Sequence, residues 1–242
     1  MQFLQRKLSK SASSTALLVL GMGLGSAGTF LLQTYTSTST GAKPAKQKER
    51  IQPKLTTDLL LEGEPSLGSP HAPLTIVEFS DFECSYCQKF HQIVLPKLKQ
   101  QYIDTGLVRF IHKDLPLPFH SQALSAAAAS RCAGEQNKYW TLYKALFDAQ
   151  NCLGCKGVVA IAHEQGINTN KLQACMNRKA TTMLINANLS EAQLHGIRAT
   201  PTFVIGPTLT DNTHRGEIIE GARPWAQFKT MLDQQLTALS GT

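Results

Sequence analysis

Cys84 and Cys87 are separated only by Ser85 and Tyr86. The pair directly follows an apolar, β-branched run, Leu74-Thr-Ile-Val-Glu-Phe79, which reads as a strand. It opens a helical pattern whose apolar positions are Phe90, Ile93, Val94, Leu95 and Leu98. A helix start offers unpaired N–H groups and a partial positive charge, and both favour an anion. A thiolate at Cys84 would be stabilised there, its pKa falling from about 8.5 into a range of roughly 3.5–7.5. The thiolate is the attacking species in disulfide exchange, and a stabilised one is also the better leaving group. Cys87 follows at a spacing that puts a disulfide within reach across the first helical turn. The expectation is that Cys84 attacks or is attacked and that Cys87 resolves. A zinc site would need two further ligands, and the next Cys-x-x-Cys lies far along the chain, so no metal is expected here.

Four cysteines remain. Cys152-Leu-Gly-Cys155 sits in a turn between helical segments and has no strand before it. A local disulfide is the favoured reading, with a second redox relay and two metal ligands as alternatives. Cys132 and Cys175 occupy apolar positions on separate helical segments, where a structural bridge between them is expected. Such a bridge would stabilise the fold by about 3–4 kcal/mol in the chain-entropy picture. Cross-pairing with Cys152 or Cys155 stays open. The seven histidines show no metal-like or triad-like spacing. His91, one turn past Cys87, reads as a helix-surface residue near the rim of the pair.

The elements that must position these residues follow from periodicity. Val108-Arg-Phe-Ile111 is a second strand, which makes a strand–helix–strand unit with the first. Pro96 predicts a kink in the helix between them. Residues 119–190 read as helical throughout. They comprise an Ala-rich segment (123–133), a segment striped with Tyr139, Trp140, Tyr143, Leu146 and Phe147, and a third capped by Asn170 that includes Leu172, Met176, Met183 and Leu184. The aromatic stripe reads as core packing. Thr202-Phe-Val-Ile205 and Gly216-Glu-Ile-Ile219 read as strands separated by a polar turn, Asp211-Asn-Thr-His214. Pro224 opens a closing helix with Trp225, Phe228, Met231, Leu232 and Leu236 on its apolar face. The order is β-α-β, a helical block, then β-β-α.

The formal charge of +7 is not spread along the chain. Residues 1–54 hold eight Lys/Arg against the single acid Glu49, and the remainder is balanced at 16 of each sign. A nucleic-acid-binding domain would be expected to carry its own basic face, so no nucleic acid is expected as a partner. Arg6, Lys7 and Lys10 precede an apolar stretch from Ala16 to Leu32, the pattern of an export signal. Its length and its glycines favour an uncleaved signal anchor over a cleaved peptide. Residues 1–33 are therefore expected to be an anchor or signal peptide. Residues 34–66, rich in Thr, Ser, Lys and Pro, are expected to be a polar spacer. A domain outside the cytoplasm follows from about residue 67 to 242. Six cysteines suit that compartment, where disulfides persist.

The segment Phe79-Ser-Asp-Phe-Glu-Cys-Ser-Tyr-Cys-Gln-Lys-Phe-His91 resembles the active-site segment of DsbA-like proteins, thioredoxin-fold enzymes of the bacterial cell envelope. Gly196-Ile-Arg-Ala-Thr-Pro-Thr-Phe-Val-Ile-Gly206 resembles their cis-proline loop, and Leu67–Val77 resembles their entry into the strand. The resemblance covers about residues 66–238. It implies an α/β, thioredoxin-like fold with an inserted helical domain at about 119–190. It implies further that Thr200 and Pro201, with Ser85 and Tyr86 between the cysteines, present the surface on which a substrate chain docks. By the same resemblance Glu78 is a buried acid that shuttles a proton to the resolving cysteine, and Lys113 is the lysine that partners it. Cys132–Cys175 resembles an extra disulfide found in some members. The implied activity is thiol–disulfide exchange on reduced or misoxidised exported proteins, with no cofactor. The implied redox partner is a quinone-linked membrane thiol oxidase, DsbB-like or resembling vitamin-K-epoxide reductase. Ser-Tyr between the cysteines departs from the Pro-His of the most oxidising members and from the Gly-Pro of thioredoxins, which leaves the direction of reaction open. An isomerase or reductase on the same fold is one alternative, and a tethered client-binding module is another. Residues 34–66 are too short and polar for the dimerisation domain that isomerases of this group carry, so a monomer is expected.

Overall fold

The computed structural model describes residues 58–241. The expected export segment and most of the spacer lie outside them. Two short strands, β1 (Leu59–Leu60) and β2 (Ser66–Leu67), lead into β3 (Leu74–Ser80). Every residue of β3 is buried, as its nearly unbroken apolar run requires of a central strand. The chain then enters α1 (Ser85–Lys89) and continues through a π-helical turn (Phe90–Val94), α2 (Leu95–Leu98) and a second π-helical turn (Lys99–Ile103). Pro96 lies in the first turn of α2, where its missing N–H is tolerated. The π turn just before it shifts the hydrogen-bond register and lets the helical path continue. Next, β4 (Val108–Asp114) returns parallel to β3, with Ile76 opposite Phe110 and Glu78 opposite His112. The expected strand–helix–strand unit is thus present.

The helical block follows as α3 (Ala123–Gly134), α4 (Tyr139–Asp148), a 3-10 turn (Gln150–Cys152), α5 (Leu153–Lys156), α6 (Val158–Glu164), α7 (Thr169–Met176) and α8 (Lys179–Leu194). The cap of α7 is Asn168, whose side chain accepts from the Lys171 N–H at 3.0 Å, and not Asn170. The expected third helix is two helices, parted at Asn177–Arg178. The chain closes with β5 (Thr202–Pro207), β6 (Thr213–His214), β7 (Glu217–Glu220) and α9 (Trp225–Ser240).

The main sheet has the order β2-β4-β3-β5-β7, with β3 central and its pairing to β5 antiparallel. One face packs Leu74, Ile76 and Phe203 against Phe90, Leu98, Phe228 and Leu232. On the other face Val77, Phe79, Ile111 and Val204 meet Ala192 of α8 and Ile197. A third cluster joins Phe82, Cys84 and Cys87 to the helical block. The cysteine pair therefore lies where sheet and insertion meet.

Residues 58–66, expected to end the spacer, belong to the fold. Leu59 and Leu61 are buried, and β1 pairs with β6, which lies in the segment Asp211–His214 expected to be a polar turn. Two-residue strands leave too little periodicity to be read from sequence. No helix among the described residues is long and apolar enough to cross a membrane.

Candidate active site

Cys84 occupies the N-cap of α1 with extended backbone (φ −76°, ψ 118°). Its carbonyl already accepts the Gln88 N–H at 3.0 Å, while its side chain caps nothing. The sulfur is left to the Thr200–Pro201 loop, whose peptide bond is cis, and the thiol is 3.2 Å from the Thr200 carbonyl. Cys84 is 7% exposed and Cys87 is fully buried; neither is in a disulfide.

This arrangement separates the two thiols electrically. Cys84 is brought down from 9.0 to about 6. The largest cause is hydrogen bonding from Cys87, with smaller help from Thr200 and the backbone of Cys87 and Tyr86 against the opposing effect of burial. Cys87 is pushed well above its ordinary 9.0, first by burial, then by its bond to Cys84 and the negative charge of Glu78. The two shifts run in opposite directions, favouring the thiolate at Cys84 and the thiol at Cys87. Ser85 and Tyr86 are exposed beside them, Tyr86 at 59%.

Side chains that the sequence reading did not single out hold the loop around the pair. The Gln150 amide donates to the carbonyls of Phe82 (2.7 Å) and Cys84 (3.0 Å). Asp81 accepts from the Glu83 and Leu117 N–H groups, each at 2.7 Å, and lies 2.8 Å from His120 Nδ1. Glu83 accepts from the N–H groups of Gln122 (2.5 Å) and Ala123 (2.8 Å), which satisfies donors at the start of α3.

Glu78 is fully buried in β3, on the face that carries Leu74 and Ile76. That face looks onto α1 and the π turn after it, so Glu78 lies beneath Cys87. The expected partner is elsewhere. Lys113 stands opposite Phe79 in the ladder, and side chains alternate across a strand. It therefore points to the other face, where it is buried against Glu191 (2.7 Å), Asn188 (3.1 Å) and Glu64 (3.2 Å). Arg131 joins the same cluster through Glu64 (2.7 Å) and Asp114.

The place expected for Lys113 is taken by His91. Its Nε2 is 3.3 Å from Glu78 Oε1, and the Tyr143 hydroxyl bridges them, 2.8 Å from His91 Nε2 and 3.3 Å from Glu78 Oε2. His91 is buried, not a surface residue. It is four residues past Cys87, the spacing that puts two side chains on one helix face, and that spacing was the available clue. Phe147 stacks on the His91 ring at 3.9 Å. The aromatic stripe of α4 is core as expected, but two of its hydroxyls are site-facing: Tyr143 on His91, and Tyr139 on His112 Nδ1 at 2.8 Å. Burial and then Glu78 hold the Tyr143 phenol well above its usual range.

The remaining cysteines form two bridges. Cys132–Cys175 joins α3 to α7 (Cα–Cα 5.7 Å), and Cys152–Cys155 closes the turn after α4 (Cα–Cα 5.0 Å). Among the described residues no group of His, Cys, Asp or Glu is arranged to hold a metal ion.

A helix-start cysteine pair facing a cis-proline loop, on a sheet of this order, defines the class: the fold and site are those of thiol–disulfide oxidoreductases. The chain belongs to the thioredoxin family, whose family model (Thioredoxin) matches residues 61–234. The chain is similar to Disulfide bond formation protein D of Bacillus subtilis, 26% identical over 160 residues, or 63% of this chain and 72% of that protein. It is also similar to the Na(+)/H(+) antiporter NhaA 3 of Salinispora tropica, 28% identical over 153 residues, or 61% of this chain. The chain spans only 23% of that antiporter's length. Among solved structures, Wolbachia pipientis alpha-DsbA1 superposes with a TM-score of 0.67 at 27% identity, covering 75% of this chain and 94% of that one. The neighbours are DsbA-like, as the active-site segment implied.

Proposed function

We propose that this protein is an extracytoplasmic thiol–disulfide oxidoreductase, tethered by residues 1–33 and a spacer, that forms or exchanges disulfides in exported proteins through Cys84 and Cys87. The observation that carries the reading is the placement of Cys84 at a helix start facing the cis Thr200–Pro201 loop with Cys87 buried behind it, which lowers the first thiol and raises the second. When the pair is oxidised, a substrate thiolate attacks Cys84 Sγ and the Cys84–Cys87 bond breaks. Cys87 leaves and takes a proton delivered by Glu78. A second substrate thiol then attacks the mixed disulfide, and Cys84 departs as the stabilised thiolate. The substrate leaves with a disulfide and the pair is left as a dithiol.

A stabilised leaving thiolate favours the reduced pair and so an oxidising role. The Thr200 carbonyl beside Cys84 and the exposed Ser85 and Tyr86 give an extended substrate chain a place to align. Reoxidation then falls to a quinone-linked thiol oxidase in the same membrane. The similarity to Disulfide bond formation protein D and to alpha-DsbA1 supports this reading, and the charge pattern of residues 1–54 supports the tether.

The test is oxidation of a reduced, unfolded protein by the purified chain. Wild type should restore disulfides, Cys84→Ser should be inactive, and Cys87→Ala should accumulate a mixed disulfide on Cys84. Full activity of Cys84→Ser, or trapping through Cys155 in place of Cys84, would move the chemistry elsewhere.

A further inference from the structure

We propose that His91 carries protons between the buried Glu78 and solvent, and so sets the rate at which Cys87 gains or loses its proton; this rests on the oxidoreductase reading above. Cys87 and Glu78 are both fully buried, so a proton moving between them has no direct exit to water. The groups that face Glu78 are Cys87 from α1, His91 from the turn that follows, Tyr143 from α4 and His112 from β4.

Two of these are poor carriers. Tyr143 is held protonated by burial and by Glu78. His112 is pushed down to about 3, chiefly by burial with Glu78 opposing, and it is fully enclosed. His91 is set apart from both by an imidazole that meets Glu78 and reaches the surface. Its Nε2 is 3.3 Å from Glu78 Oε1, and its ring also forms part of the wall of a surface groove of about 540 Å³. Leu95, Pro96, Trp140, Tyr143 and Phe147 line the same groove. An imidazole has two ring nitrogens and can accept a proton on one while releasing it from the other; here the second, Nδ1, lies 2.9 Å from the Tyr143 hydroxyl, and Tyr143 lines the same groove. Lys99, Lys144 and Asp148 also line the groove, and charged side chains are strongly hydrated.

Consider the reduced protein meeting a small disulfide such as oxidised glutathione. Cys84 thiolate attacks one sulfur and forms a mixed disulfide, releasing the first thiolate. The Cys87 proton passes to Glu78, on to His91, and out by way of the Tyr143 hydroxyl to water in the groove. Cys87 thiolate then attacks Cys84 Sγ, the mixed disulfide breaks, and the second thiolate leaves. The protein dithiol is oxidised and the small disulfide is reduced. His91 touches none of the reacting sulfurs, so it is a positioning residue that acts through Glu78.

The experiment uses oxidised glutathione with the reduced protein and follows both phases by acid quench and mass. His91→Gln keeps a partner for Tyr143 but cannot relay a proton, and His91→Ala opens the site to the groove. Formation of the mixed disulfide should be unchanged in both. Its resolution should slow by roughly tenfold or more near neutral pH, within the range of lost acid–base assistance. Added imidazole should restore the rate of His91→Ala in proportion to its concentration. Resolution at the wild-type rate in His91→Gln, or loss in His91→Ala that imidazole does not repair, overturns the relay in favour of packing alone. Failure of the reduced wild type to become oxidised by glutathione disulfide would instead overturn the oxidoreductase reading, and the relay with it.

Discussion

Glu78 and Lys113 sit on adjacent, hydrogen-bonded strands yet point to opposite faces of the sheet, because Lys113 is in register with Phe79 and not with Glu78. The lysine is committed to a buried cluster with Glu64, Glu191 and Asn188. Lys113→Met should therefore act on stability, leaving buried carboxylates unpaired at a cost of about 3–5 kcal/mol. Urea unfolding should show that loss while the thiolate titration of Cys84 stays where it was. A shifted Cys84 titration with unchanged stability would refute this placement.

Cys84 should titrate with a midpoint near 6, seen as thiolate absorbance or as the pH profile of alkylation. Since the Cys87 hydrogen bond is the largest cause, Cys87→Ala should move that midpoint upward. The linkage has a definite sign. A thiol whose folded pKa lies below its unfolded value adds stability that is complete above about 9 and is lost as pH falls through about 6. Reduced wild type should thus gain on Cys84→Ser between those values, and the gain should vanish at pH 5. A difference that does not change with pH would contradict the assignment.

Gln150→Ala should loosen the active-site turn. The Phe82 and Cys84 carbonyls lose their side-chain donor, though that of Cys84 keeps the Gln88 N–H. The expected loss is about 1–3 kcal/mol for the Phe82 carbonyl left buried and unpaired. Hydrogen exchange of residues 82–88 should quicken in the variant before that of β3 does; equal protection in both proteins would argue against the brace.

Joint replacement of Cys132 and Cys175 by Ala should lower stability by about 3–4 kcal/mol, since the bridge spans 43 positions. Cys152→Ala with Cys155→Ala should cost much less, because that bridge closes a separation of only three. Thermal melts of the two double variants side by side give the comparison, and equal losses would show that loop length is not what matters.

Much of the site was legible because it rests on local spacing. A strand, a two-residue gap between thiols and a helix start place Cys84 and Cys87 by geometry that any reader of the chain can apply. Pro201 was legible through resemblance. His91 was misplaced because one polar residue on a helix face says nothing about what covers it, and here Phe147 and Tyr143 of the insertion do so. The start of the domain was misplaced for a related reason. Leu59 and Leu61 are isolated apolar residues in a polar stretch, and their burial depends on β6 and α8, far along the chain.

The sequence by itself determined the class of chemistry, the order of the main elements and the place of the two thiols at a helix start. These follow from periods of two and 3.6 and from the partial charge of a helix start, all of them properties of neighbouring residues. Only the tertiary structure decided which side chains share a space. Strand register turned Lys113 away from Glu78, and the docking of the helical block buried His91 against it. Register and docking are set by contacts between segments distant in sequence, whose pairing no local pattern encodes.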